Sequence, residues 1–314
     1  MTGGVWSRRS PGRPLGATIA VALLTIIALA GCATPVAREE LAREYFNLGN
    51  AYFELQDYER SYRYYRRAIE LSDTLPAAGF NLARLYLERG ENREALDVLE
   101  RLVLQDPDNT LVRETRAYVL YKLGEIDRAR EDYAKLLEIT GGRPRIAYNL
   151  GLLELDLGEY ERAAAVLREH VHNARDDEQY RWVLAEAFFL AGREDEALRE
   201  LEYYRTLVAE RPALLVELAD RYVSWDYYLS GLEIVELLPE ATLREPRAAW
   251  AHARALLLGT AEFEAGAAAL ERALAGGFND ASALTDLIGK LPEEEQAVLI
   301  ELLEDHEVEL PVKY

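Results

Sequence analysis

Apolar residues recur at steps of three and four through short segments along most of this chain. That spacing places them on one side of a helix. The segments come in pairs, each pair split by a short polar turn. New pairs open near Ala42, Pro76, Thr110, Pro144, Glu178, Pro212 and Pro246, every 34 residues. The pattern predicts a repeated unit of helix A, turn and helix B. A period of this length is that of a stacked helical array, in which each unit buries its apolar faces against its neighbours.

Small residues hold the same period. One series is Gly49, Ala83, Ala117, Gly151, Ala185, Ala219 and Ala253; a second is Ser61, Ala95, Ala129, Ala163, Ala197, Gly231 and Ala265. Both are expected where helices A and B of one unit approach closely. Leu48, Leu82, Leu150, Leu184 and Leu218 are expected to fill the space between helices. Gly90, Gly124, Gly158 and Gly192 follow the predicted end of helix A, where a left-handed residue closes a helix. Pro76, Pro144, Pro212 and Pro246 fall in the first turn of helix A, where a missing N–H costs little. Three units depart from the pattern. The third has Arg116 in the leucine position, predicting a shifted or more exposed helix A. The sixth has Asp226 for the turn glycine within Trp225-Asp226-Tyr227-Tyr228. The seventh has His252 at the leucine position, and its Phe263, Leu270 and Ala273 fit with one residue inserted in the turn.

The first unit reads Tyr45-Phe46-Asn47-Leu48-Gly49-Asn50-Ala51-Tyr52, then Tyr58, Ser61, Tyr65 and Ala68. The fourth echoes it with Tyr148-Asn149-Leu150-Gly151, then Gly158, Tyr160 and Ala163. This resembles the tetratricopeptide repeat family over about residues 40 to 278. The resemblance implies an all-α, right-handed solenoid of about seven repeats across 42–278. Residues 279–314 are expected to be capping helices and a tail, with Asn279 or Asp280 as the first cap and Pro292-Glu293-Glu294-Glu295 opening the second helix.

The amino-terminal residues read as a targeting segment rather than as fold. Arg8, Arg9 and Arg13 precede an apolar run from Leu15 to Ala30, broken only by Thr18 and Thr25, which is short for a membrane span. It ends in Leu29-Ala30-Gly31-Cys32, and Cys32 is the one cysteine of the chain. The tetrapeptide resembles the lipobox of bacterial lipoproteins. The resemblance implies a signal peptide over 1–31, diacylglycerol on Cys32, and a lipidated terminus and tether over 32–41. Ser10, Pro11 and Gly12 after Arg8-Arg9 fit a general secretion signal better than a twin-arginine one. Ala33 after the cysteine, with no aspartate there, favours the outer over the inner membrane, with the protein facing the periplasm.

The net charge is −20 at pH 7, and removal of the basic leader makes the remainder more acidic. That argues against nucleic acid and against broad docking on anionic lipid. Half the residues are apolar, which separates the chain from disordered acidic sequences. The residues form no catalytic constellation. His170, His172, His252 and His306 lack metal-ligand spacing, and there is no glycine-rich phosphate loop. No metal, cofactor, small-molecule substrate or enzymatic activity is expected.

Function is expected on the helix A face, which lines the concave side in the family that the chain resembles. An aromatic occupies one equivalent position in five units: Phe46, Phe80, Tyr148, Trp182 and Trp250. Arg84, Tyr118, Tyr121, Phe189 and Arg254 join them on that face. Such a wall suits an apolar peptide or helix of a protein partner, with Arg84 and Arg254 as carboxylate contacts. Tyr62, Arg63, Tyr64, Arg66 and Arg67 form a second candidate, a basic aromatic patch for lipid headgroups or an acidic partner. The expected function is a non-catalytic adaptor in the cell envelope; the alternative is a chaperone-like holder of exported clients.

Overall fold

The computed structural model describes residues 35–72, 75–308 and 310. The expected leader, the expected lipidation position Cys32 and residues 311–314 of the tail lie outside the described residues. Those residues hold seventeen α-helices, one 3-10 turn and no strand. No described helix is long and apolar enough to cross a membrane.

The chain divides into two compact units, residues 1–141 and 142–314. The first contains three helix pairs: α1 (Pro35–Glu54) with α2 (Tyr58–Leu71), α3 (Pro76–Glu88) with α4 (Asn92–Gln105), and α5 (Thr110–Lys122) with α6 (Ile126–Thr140). The second contains four: α7 (Pro144–Asp156) with α8 (Tyr160–His170), α9 (Glu178–Leu190) with α10 (Glu194–Val208), α11 (Pro212–Ser224) with α12 (Tyr228–Glu236), and, after the short α13 (Glu240–Leu243), α14 (Pro246–Gly259) with α15 (Phe263–Ala275). It closes with α16 (Ala281–Gly289) and α17 (Glu293–Asp305). Residues 32–41 are not all tether, because α1 starts at Pro35. Proline suits a first helical position, and Ala37-Arg38-Glu39-Glu40-Leu41 are all strong helix formers.

The 34-residue punctuation has a common backbone cause. After α3 the chain turns through Gly90 at φ +74°. The Gly90 N–H donates to Leu87 O, and the Glu91 N–H donates to Tyr86 O. This paired closure recurs at Gly124, Gly158 and Gly192. Gln56 and Asp226 make the same turn without glycine, at φ 58° and 64°. The seventh pair does not. There α14 gains one residue, Thr260 is extended at φ −133°, and its hydroxyl accepts from the Glu262 N–H. This is the insertion that Phe263, Leu270 and Ala273 implied. It also moves the close-approach position from Ala265, which is exposed, to the buried Gly266.

The small residues sit where the helices touch. A Cβ on Gly151 would lie 2.6 Å from Leu167 of α8, and one on Gly49 would lie 2.5 Å from Tyr65 of α2. Ser61 uses the same closeness differently: its hydroxyl donates to Gly49 O at 2.9 Å. Leu82, Leu150, Leu184 and Leu218 are buried as expected. Leu48 is not; it is 42% exposed, since no helix pair precedes α1 among the described residues.

Arg116 neither shifts α5 nor leaves it exposed. The helix starts in register at Thr110, and Arg116 turns inward to Asp132 on α6. Asp132 is 2% exposed and accepts from Arg113 Nη1 at 2.6 Å and from Arg116 Nε and Nη2 at 2.7 and 2.6 Å. Two periods further on, Arg181 and Glu200 occupy the positions of Arg113 and Asp132 and pair at 2.6 Å. In the first repeat the same two positions hold Tyr45 and Tyr64, whose rings stack with centroids 6.0 Å apart. One inter-helix position thus accepts either a ring pair or an ion pair.

His252, at the leucine position of α14, is half-buried with its Nδ1 unpaired. Burial, then nearby Arg272, push its pKa below the usual 6.5, against the weaker pull of Glu236. A histidine kept neutral in the fold and free to protonate when unfolded loses stability as pH falls through 6.5 toward the folded value. His252→Leu is expected to raise stability by about 1 kcal/mol. Urea midpoints at pH 8 and pH 5 check this, and the acid-dependent loss should be smaller in the variant.

The last pair is covered as the acidic opening of α17 suggested. Asp280 caps α16, its carboxylate accepting from the Ser282 and Ala283 N–H groups. Leu284, Leu287, Ile288, Leu299 and Leu303 then bury against Trp250, Leu257, Leu270 and Leu274.

Candidate functional site

In the first unit the helix A face is part aromatic and part polar network. Phe46, Phe53 and Phe80 are half-buried, and the Arg84 guanidinium lies 5.4 Å from the Phe53 ring centroid. Asn50 Oδ1 accepts from the Tyr65 hydroxyl at 2.8 Å and from Asn81 Nδ2 at 2.7 Å, tying the first repeat to the second. Tyr118 is 46% exposed under the Lys122 ammonium, and Tyr121 is half-buried.

In the second unit the helix A positions divide. Tyr148, Trp182 and Phe189 remain partly open, and Leu152 beside them is 40% exposed. Val216, Val223 and Leu257 are buried in the core. Trp250 is also core: it is 7% exposed and stacks on Phe278 at 4.4 Å. Its expected role as an open anchor is corrected by Phe278, from the chain just past the last repeat, which covers the ring. Arg254 is likewise spent. It is mostly buried, its Nη1 donates to Asp220 at 2.7 Å, and it lies over Trp250.

What opens instead is centred on Trp182. The Arg221 guanidinium lies 4.9 Å from the Trp182 ring and 5.6 Å from Trp225, and it pairs with Glu186 at 3.4 Å. Trp225 stacks flat on Phe189 with centroids 3.9 Å apart. On its other flank Trp182 meets Tyr204 of α10 at 5.0 Å. Burial, followed by the Glu217 and Glu178 carboxylates, pushes the Tyr204 hydroxyl up to about 12. Arg221 and Tyr204 were not among the sequence candidates. Tyr204 holds the helix B position of Ala68, which reads as packing. Arg221 is one arginine among many until Trp225 is placed beside it.

The basic aromatic patch on α2 does not form one surface. Tyr64 turns toward α1, stacking on Tyr52 at 5.3 Å. Tyr62 turns toward α3, its ring 6.0 Å from Tyr86 and its hydroxyl accepting from Arg66. Arg67 pairs with Glu70 at 3.0 Å, while Arg63 is exposed. Rings two residues apart lie on different sides of a helix. Among the described residues no group of three His, Cys, Asp or Glu is placed to hold a metal ion.

This geometry meets known proteins at one point. Family models of the tetratricopeptide repeat match residues 52–117, 120–187 and 179–202. These residues therefore carry tetratricopeptide repeats, and proteins built of such repeats are generally scaffolds for protein interaction. It is similar to an uncharacterized lipoprotein of Treponema pallidum, 34% identical over 110 residues, covering 35% of this chain and 55% of that one. It is also similar to the tetratricopeptide repeat and J domain-containing co-chaperone DNJ1 of Fusarium oxysporum, 29% identical over 168 residues, covering 53% of this chain and 28% of that one. The chain thus spans about half and about a quarter of these two relatives. Among solved structures it resembles a tetratricopeptide repeat protein from Parabacteroides merdae, with TM-score 0.52, 19% identity and coverage of 85% and 99%. It also resembles MamA, with TM-score 0.50, 16% identity and coverage of 55% and 94%. At such identities the structural likeness is one of fold.

Proposed function

We propose that this protein is a non-catalytic adaptor of the bacterial cell envelope, anchored through lipid on Cys32, that holds a partner polypeptide on its helix A faces. The observation that carries the reading is the partly open aromatic position of successive helices A. It is Phe46 and Phe80 in the first unit and Tyr148 and Trp182 in the second, with exposed Tyr118 and Leu152 on the same faces. Rigid rings that are only half covered offer contact area at little entropic cost, which is why such residues dominate interfaces. The anchor rests on the Leu29-Ala30-Gly31-Cys32 motif, supported by the similarity to a protein named as a lipoprotein. The outer membrane is the expected site where the cell has one.

The test is crosslinking in the native cells followed by affinity capture. Trp182→Ala with Phe189→Ala is expected to reduce capture of one discrete partner about 30-fold, with helix content unchanged. Undiminished capture refutes the groove; many weakly held unfolded clients in place of one partner favour the chaperone reading. Cys32→Ala is expected to release the protein from the membrane fraction, and an unchanged fractionation refutes the anchor.

A further inference from the structure

The second unit repeats one small device four times, Arg193 over Phe188 with Glu196 being one of them. A guanidinium lies over an aromatic ring with a carboxylate beside it. Arg181 lies 4.2 Å from the Tyr203 ring centroid and pairs with Glu200. Arg221 lies over Trp182 and pairs with Glu186. Arg254 lies over Trp250 and pairs with Asp220. In each the ring quadrupole and the carboxylate act on the same cation.

A cleft of about 320 Å³ between α7, α9, α10 and α11 brings together two rings that carry no cation among the described residues, Tyr148 and Tyr204, while its third ring, Trp182, already lies under Arg221. Tyr148, Trp182 and Tyr204 supply aromatic walls, and Glu178 and Glu217 supply carboxylates. Glu178 is already neutralised by Arg211, which donates to it from both Nη atoms. Glu217 makes no hydrogen bond or ion pair among the described residues. The chain carries a net charge of −20, so its field favours the approach of a basic partner over an acidic one.

We infer that this cleft receives an arginine or lysine side chain of the bound partner beside Trp182, completing with Glu217 and the Tyr148 and Tyr204 rings the arrangement that the second unit builds repeatedly for itself. The inference rests on the adaptor reading and specifies the chemistry of its ligand. It selects a polypeptide with a basic residue flanked by apolar ones, the apolar neighbours lying along Leu152 and Leu214.

The test uses the full-length protein with ¹⁵N-labelled tryptophan, the Trp182 indole N–H being assigned through Trp182→Phe. Two capped pentapeptides are titrated, each with leucines and then serines flanking a central residue. That residue is arginine in one and citrulline, its neutral isostere, in the other. The arginine peptide is expected to half-saturate the Trp182 shift at a concentration about fivefold or more below that of the citrulline peptide. Glu217→Gln is expected to abolish the difference, and 1 M salt to shrink it. Equal binding of the two peptides, no effect of Glu217→Gln, or no shift with either peptide overturns the cation site. Equal binding at Trp182 leaves the adaptor reading intact. Partner capture that survives Trp182→Ala with Phe189→Ala sinks that reading even where the arginine peptide still binds.

Discussion

Asp132→Ala is expected to be among the most damaging single changes in the first unit, costing about 3–5 kcal/mol. The carboxylate is shared by Arg113 and Arg116, whose side chains are themselves mostly buried. Removing it leaves two guanidinium groups in a poorly solvated place without the charge that holds them there. Arg113 is the more exposed to this loss: its Nε already lacks a partner, and its remaining bond is Nη2 to Pro107 O at 2.7 Å. The urea midpoint of this unit should fall by about 1–2 M. Amide exchange should accelerate first in α5 and α6, because repeats interact chiefly with neighbours. Joint replacement of Arg113, Arg116 and Asp132 by leucine is expected to recover most of the loss, since apolar groups can replace a buried ion cluster. A single variant as stable as the parent would show that the cluster is solvated.

Trp250→Ala is expected to cost about 3–5 kcal/mol in the second unit. The ring is packed among Ala253, Leu270, Leu274 and Phe278, and deleting it opens a large void beneath the capping helices. Protection should be lost in α14 through α17. Trp182→Ala should behave in the opposite way, with little loss of stability and a large loss of partner capture, because Trp182 is half-open. Two tryptophans at the same repeat position therefore separate by readout. A Trp250→Ala protein of parental stability would contradict the burial, whatever its binding.

The difference between these two tryptophans marks what a sequence of this type discloses. Gly90, Gly124, Gly158 and Gly192 were legible because each requirement is local, a left-handed residue one position past a helix C-cap. Gly49, Gly151 and the alanines were legible because a close approach every 34 residues leaves a periodic trace. The single inserted residue of the seventh turn was legible because it displaced Phe263, Leu270 and Ala273 together. Exposure was not legible in the same way. Whether a helix A position is open depends on its neighbours in space, and Phe278 closes Trp250 from outside the repeat pattern. The leucine position misled for the same reason at Leu48, whose covering pair does not exist among the described residues. Arg116 read as a defect because its partner, Asp132, belongs to the other helix. The Tyr62 to Arg67 run read as one patch because adjacency in sequence conceals the two sides of a helix.

The central claim is that partners are held on the helix A faces. Site-specific photocrosslinking in the native cells tests it most directly. A benzophenone amino acid replaces Tyr118 or Leu152 on helix A, or Ala134 or Ala165, which are exposed on helices α6 and α8. The account predicts one discrete crosslinked protein from Tyr118 and Leu152, and none from Ala134 and Ala165. A crosslink confined to Ala134 and Ala165 would contradict it and place the partner on the helix B side.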